Sequence, residues 1–285
     1  MRHTTTYDYA GNIDLASHML HLLPRPLAHQ RVLSVSLDAD PEPARMVEGV
    51  DHFGNRVAWM FLNRPHDRFE VTLAAEVDVA FPPPPADTTP AWEAVAAQAF
   101  GDHAAWREAE FAFESPMLAE DAAATAYVAE SFPPGRTILE GLLHLNSRIR
   151  REFKFRGGVT EIDTPVARVL AQRAGVCQDF THLLLTGMRG LGLPARYVSG
   201  YLRTYPPAGQ TTRRGADQSH AWVGAWMGSA HGWIDLDPTN DLVVGEEHVV
   251  LAWGRDYGDI SPVRGILLGG GRHTVDVAVR LEPLS

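Results

Sequence analysis

One cysteine, a strand histidine and two carboxylates on the strand after it are the parts of an activated nucleophile. Cys177 is the single cysteine of the 285-residue chain. Ser219-His220-Ala221-Trp222-Val223-Gly224-Ala225-Trp226 alternates, so His220, Trp222, Gly224 and Trp226 share one face of a strand. After a turn at Gly228-Ser229-Ala230-His231-Gly232 the chain returns as Trp233-Ile234-Asp235-Leu236-Asp237-Pro238, with Trp233, Asp235 and Asp237 on one face. In such a set the imidazole takes the thiol proton, and the carboxylate orients the ring and stabilises the imidazolium. Facing Cβ atoms of paired strands lie about 4.5–5.5 Å apart, so His220 reaches one of the two aspartates. Asp235 and Asp237 have the same parity, and spacing alone leaves both open.

The element that must carry the thiol is a helix. Cys177, Phe180, Leu184, Met188 and Leu191 form one stripe of a 3.6-residue period, and Gly192-Leu193-Pro194 stops it. Cys177 begins the stripe, so it faces the interior or a cleft. No Ser, Thr, Asp or Asn immediately precedes it as a neutral cap. A thiolate in the first turn would meet free N–H groups and the positive end of the helix dipole. In such settings a cysteine pKa falls from about 8.5 to as low as ~3.5. The Cys177 backbone N–H supplies one oxyanion donor; Gln172 and the indole N–H of Trp222 are candidates for a second. Trp222, Trp226 and Trp233 are candidates for cleft walls, or for core. His182 is displaced from the cysteine's face and reads as structural. His18 and His21 have metal-like spacing but no third ligand in a clear pattern, so packing is favoured. No metal or organic cofactor is required by this chemistry.

Composition narrows the partners. Hydrophobic residues at 45% and charged residues at 21% are globular values, which exclude a disordered chain. With 35 acidic against 25 basic side chains, the net charge of −10 argues against a nucleic-acid or anionic-membrane partner. A lone cysteine cannot form an intramolecular disulfide, and no stretch reaches the length of a membrane span. With no basic segment followed by an apolar run near Met1, the expectation is a soluble cytoplasmic protein.

The chain divides into three. Residues 1–80 alternate in the period-2 manner, as in Arg31–Leu37 and Phe69–Ala74, and predict a β-sandwich-like domain. Residues 81–160 open on Phe81-Pro82-Pro83-Pro84-Pro85, a linker, and continue as mainly helical sequence. Residues 161–285 hold the chemistry and end, after Gly269-Gly270-Gly271, in a last strand from His273 to Val279.

Several blocks in order resemble one family. These are Ala174-Gly175-Val176-Cys177-Gln178-Asp179-Phe180, Gly192-Leu193-Pro194-Ala195-Arg196-Tyr197, Ser219-His220-Ala221-Trp222-Val223 and Gly232-Trp233-Ile234-Asp235-Leu236-Asp237-Pro238-Thr239-Asn240. Together they are similar to the bacterial transglutaminase-like family, whose members are described as cysteine proteases. Tyr7-Asp8-Tyr9, Asp51-His52-Phe53-Gly54-Asn55 and Gly254-Arg255-Asp256-Tyr257 extend the likeness over nearly the whole chain. The resemblance implies an α+β fold with a papain-like, transglutaminase-like core. It also implies that the aspartate before Pro-Thr, Asp237, completes the set, leaving Asp235 in support. The function it implies is acyl transfer from an amide, foremost hydrolysis of a peptide or isopeptide substrate. An amine-accepting transferase and a non-catalytic binding module are the alternatives.

Overall fold

The computed structural model describes residues 1–85, 88–204 and 218–284. The N-terminal third is five strands: β1 (Arg2–Leu20), β2 (Gln30–Asp40), β3 (Arg45–Val50), β4 (Arg56–Leu62) and β5 (His66–Val79). They pair in the order β2-β5-β1-β4-β3. β1 is rich in β-branched residues, which suit a pleated, half-buried surface. Its register shifts between Asp8 and Ile13 where it leaves β5, and such irregularities bend a strand. What alternation predicted as a sandwich-like unit is thus one curled sheet. Phe69, Val71 and Leu73 of β5 fill its concave side with Ile13, Leu20 and Met60.

Helices follow: α1 (Trp92–Gly101), α2 (Trp106–Ala109), α3 (Ala122–Ala129) and α4 (Ile138–Glu152). Then come β6 (Lys154–Phe155), α5 (Val166–Gln172), β7 (Ala174–Gly175) and α6 (Cys177–Gly190). A second sheet is built from β8 (Ala195–Leu202), β9 (Gln218–Trp226), β10 (Trp233–Asp237), β11 (Leu242–Val243) and β12 (His248–Gly254). Its order is β11-β10-β9-β8-β12, all antiparallel. The amphipathic stripe of α6 packs Phe180, Leu184 and Met188 into one core with Leu142 and Leu145 of α4 and with Tyr197, Val223 and Ala225 of the sheet. Fully burying each such side chain is worth about 1.5–3 kcal/mol. Helix α3 approaches α6 so closely that a Cβ on Gly187 would lie 2.3 Å from Val128 Cγ2. Among the described residues no helix is long and apolar enough to cross a membrane.

The chain end does not stay with the second sheet. β13 (Val263–Gly269) and β14 (His273–Arg280) both pair antiparallel with β1 and complete the seven-stranded N-terminal sheet. The last strand, grouped with residues 161–285 on sequence grounds, therefore belongs to the other sheet. The cause is the length of β1, which offers a second hydrogen-bonding edge that β4 and β5 leave free. The two sheets are also stitched together. The Gln30 side-chain amide donates to Val250 O and accepts from Val250 N, each at 2.7 Å. Asn55 likewise donates to Trp253 O at 2.8 Å and accepts from Trp253 N at 2.9 Å. These amides mimic a neighbouring strand along β12, the edge of its sheet, and satisfy backbone groups that an edge leaves open. Tyr201, Val249 and Leu251 are part of the N-terminal core, so the two sheets share one apolar interior.

Candidate active site

Cys177 is the first residue of α6, half-buried, with extended Val176 before it. The cap that the preceding residues lack comes from inside the helix. Asp179 folds back so that its Oδ2 accepts from the Val176 backbone N–H and from Thr160 Oγ1, both at 2.7 Å. Gly175 makes room, since a Cβ there would lie 2.6 Å from Asp179 Oδ2. Burial pushes the Asp179 carboxyl up, and these two donors oppose the shift. Helix α6 is thereby anchored in its first turn, by residues on either side of the thiol.

Strand register decides between the two aspartates. Gly224 lies opposite Asp235 and Val223 opposite Leu236. Continuing that ladder sets Asp237 opposite Trp222, one diagonal step from His220, and sets Asp235 one diagonal step from Trp222. The contacts follow. His220 Nε2 meets Asp237 Oδ2 at 2.8 Å, while Trp222 Nε1–H donates to Asp235 Oδ2 at 3.1 Å. The same imidazole interacts with Cys177, and with Nε2 engaged by Asp237 its Nδ1 is the nitrogen left for the thiol. Burial alone would lower the His220 pKa. The Asp237 carboxylate and Cys177 override it and hold the ring protonated up to about 10.

Asp237 is fully buried and surrounded by donors. Its Oδ2 also accepts from Asn240 Nδ2 at 2.7 Å, and its Oδ1 accepts from the backbone N–H groups of Thr239 at 3.0 Å and Asn240 at 3.3 Å. Burial would raise this carboxyl, but hydrogen bonds from His220 and His248, the His220 charge and Asn240 keep it well below the usual carboxylate range. His248 is the residue that sequence reasoning missed. It lies 2% exposed on β12, with Nε2 at 3.4 Å from Asp237 Oδ2. The Gly245 N–H points at its Nδ1 at 3.4 Å, which fixes the proton on Nε2, where it faces the carboxylate. Its ring also stands edge-on to Trp222 with centroids 5.3 Å apart. We expect His248→Leu to cost about 1–3 kcal/mol of stability, because a buried acceptor and the Gly245 N–H both lose their partner. His248→Gln, which keeps a donor near Nε2, should recover most of it; urea unfolding of the pair checks the ranking.

The other sequence candidates lie elsewhere. Gln172 is exposed, and its Nε2 donates to Ala174 O at 2.8 Å, so its amide is spent on its own turn and is not turned to the thiol. The Trp222 indole N–H is likewise spent on Asp235. Asp235 also faces Arg196 at 3.5 Å, in a cluster where the Arg196 guanidinium stacks on Trp233 and Trp253. Trp226 is core, so none of the three tryptophans walls the cleft. Beside Cys177 and His220 that cleft is lined by Arg150, Phe155, Leu202, Thr204, Ser219, Thr239 and Asn240, and it encloses about 310 Å³. His182 is buried on α6 itself and accepts from the Tyr257 N–H at 3.3 Å. His21 Nε2 meets Asp51 at 3.1 Å, and His18 stacks on Phe69 with centroids 4.3 Å apart. The two histidines with metal-like spacing therefore have separate partners.

A thiol at a helix start, packed on a sheet that presents histidine and aspartate, defines a class, and comparison with known proteins agrees. Residues 1–78 match the bacterial transglutaminase-like N-terminal region, and residues 126–238 match the transglutaminase-like superfamily. An uncharacterized protein of Mycobacterium tuberculosis is 38% identical over 99% of this chain and 91% of its own length. The crystal structure of a candidate cysteine protease from Cytophaga hutchinsonii superposes with a TM-score of 0.73 at 21% identity, covering 99% of this chain and 91% of that one. A protein-glutamine gamma-glutamyltransferase of Pseudomonas aeruginosa is 35% identical over 68 residues, 24% of this chain and 10% of that protein. This chain belongs to the transglutaminase-like superfamily. The superfamily match starts at 126, inside the helical segment assigned to 81–160, in keeping with the packing of α3 and α4 against α6.

Proposed function

We propose that the chain is a cysteine-dependent amidase or peptidase with Cys177 as nucleophile, His220 as general acid and base, and Asp237 as the group that orients His220. The observation that carries this reading is the single imidazole that engages both Cys177 and the buried Asp237 carboxylate. The Cys177 thiolate attacks the amide carbonyl, and the developing oxyanion takes the Cys177 backbone N–H as a donor. Protonated His220 gives its proton to the leaving amine as the C–N bond breaks. The neutral ring then takes a proton from water. The water oxygen attacks the thioester, thiolate leaves, and the acid product departs. The substrate is a peptide, protein or other amide that fits the cleft.

The local likeness to a gamma-glutamyltransferase favours one second reading, in which an amine in place of water attacks the same thioester. Adding a primary amine at millimolar concentration during turnover and comparing amide with free acid separates the two; we expect free acid to dominate. The primary test is alkylation of Cys177 by iodoacetamide at pH 6. With a protonated His220 beside the thiol, the native chain should react at least about tenfold faster than His220→Ala, since only the thiolate is nucleophilic. Equal rates would remove the thiolate–imidazolium pair and this reading with it.

A further inference from the structure

Among the described residues, the cleft beside Cys177 and His220 is lined by one arginine and no carboxylate. The chain has 35 carboxylates against 25 Lys and Arg, yet among the described residues no Asp or Glu side chain lines the cleft. The carboxylate nearest its chemistry, Asp237, is fully buried behind His220. Arg150 does line it, from the last turn of α4.

The arginines of α4 divide by role. Arg148 is buried and held by Glu130 at 2.7 Å and Glu152 at 3.0 Å. Arg150 is exposed and forms no ion pair among the described residues. Its position is fixed by the helix. One turn earlier, Asn146 Nδ2 donates to Leu242 O at 3.3 Å, and Ser147 Oγ donates to Asp241 at 2.7 Å. These bonds tie α4 to the turn just beyond Asp237. The i, i+4 spacing then puts Arg150 on the Asn146 face, at the cleft. On the same wall Phe155 of β6 is 56% exposed, an apolar surface with its face to solvent.

We infer that this cleft selects amides bearing a carboxylate close to the scissile bond, with Arg150 as its receptor and Phe155 as the platform for an adjoining apolar group. The inference rests on the reading of Cys177 as nucleophile and adds the substrate class. A guanidinium offers a planar fork that fits a carboxylate in two parallel hydrogen bonds, and a free, solvated one is ready to accept it. A cationic side chain at the mouth of the site also draws anions toward the thiol in a protein whose overall field repels them.

The test needs no natural substrate. Cys177 is alkylated at pH 6 with iodoacetate and with iodoacetamide, which differ in one carboxylate, in native chain, Arg150→Gln and Arg150→Lys. Each reagent forms the same S–C bond and releases iodide. We expect the iodoacetate-to-iodoacetamide rate ratio to fall roughly three- to fivefold in Arg150→Gln, the scale of one partly exposed ion pair, and to fall less in Arg150→Lys. The native ratio should decline as salt is raised. Any change in thiolate fraction acts on both reagents alike and cancels in the ratio, and circular dichroism of the three chains reports an intact fold. Peptidyl fluoromethyl ketones carrying Glu or Gln beside the ketone extend the test, with the Glu probe favoured only while Arg150 is present. A ratio unmoved by Arg150→Gln, or equal labelling by the two ketones, overturns the carboxylate selection and leaves the nucleophile assignment standing. Iodoacetamide labelling that is insensitive to His220→Ala removes the nucleophile reading instead.

Discussion

Asp237→Asn should lower turnover by about three to four orders of magnitude, the scale seen when the carboxylate of a nucleophile–histidine–carboxylate set becomes an amide. The geometry makes the loss hard to escape. Asp237 Oδ2 faces His220, His248 and Asn240 Nδ2, and Oδ1 faces two backbone N–H groups. Every direction open to an asparagine NH2 already holds a donor. Whichever way the amide turns, one donor meets another, and His220 loses the anion that keeps it protonated to about 10. Asp235→Asn is the contrast. Asparagine keeps an oxygen for the Trp222 indole N–H, so turnover should stay within about tenfold. The weakened contact to Arg196 should cost roughly 1–3 kcal/mol of stability instead. Amide hydrolysis or peptidyl-ketone labelling of Cys177 measures the first quantity and urea unfolding the second. A larger activity loss in Asp235→Asn than in Asp237→Asn would reverse the assignment.

That contrast marks where sequence reasoning ends. Alternation puts His220 on the face of Trp222, and both aspartates on one face of the next strand, because side chains alternate with a fixed period of two. Which aspartate meets the histidine depends on register, and the register is set by the turn between them, where Gly228 and Gly232 take positive φ. Parity survives any even shift of that turn; contact does not. The helix stripe from Cys177 was legible for the same reason, since its period is local. Its cap was not, because Asp179 reaches backward and relies on Gly175 to leave it space. His248 had no local signal at all. It comes from an edge strand beside β8, three positions across the sheet from β10. The placement of β13 and β14 was equally hidden, as an alternating apolar strand does not reveal which of two sheets will take it. Gln172 and Trp222 were plausible donors by type, and each is engaged by a neighbour that spacing does not disclose.

Acid should unfold this protein well before its carboxylates titrate. Burial lowers the pKa of His3, His18 and His182 to about 4 each. An imidazole whose native pKa lies below the unfolded value of about 6.5 binds its proton more readily in the unfolded chain. Stability is therefore lost as pH falls from about 6.5 toward 4. At pH 5 linkage gives about 2 kcal/mol per residue, or ~6 kcal/mol for the three, a large share of the ~5–15 kcal/mol that holds an ordinary domain folded. The His220 and Asp237 contributions have other windows. The raised His220 pKa stabilises fully below about 6.5 and loses its effect as pH climbs through about 10. The depressed Asp237 contributes above the ordinary carboxylate range and fades as pH drops below it. Maximum stability should accordingly lie near neutrality, with the steep side between pH 6.5 and 4. His18 isolates the cause. Both of its ring nitrogens are buried without a hydrogen-bond partner, and it packs flat on Phe69, so at neutral pH it behaves as an apolar side chain. His18→Leu, of similar volume, should match or exceed native stability at pH 7.5 and keep about 2 kcal/mol more of it at pH 5. Urea unfolding of both chains at the two pH values measures this. An equal loss in the two would mean that protonation of His18 is not what the acid limb reports.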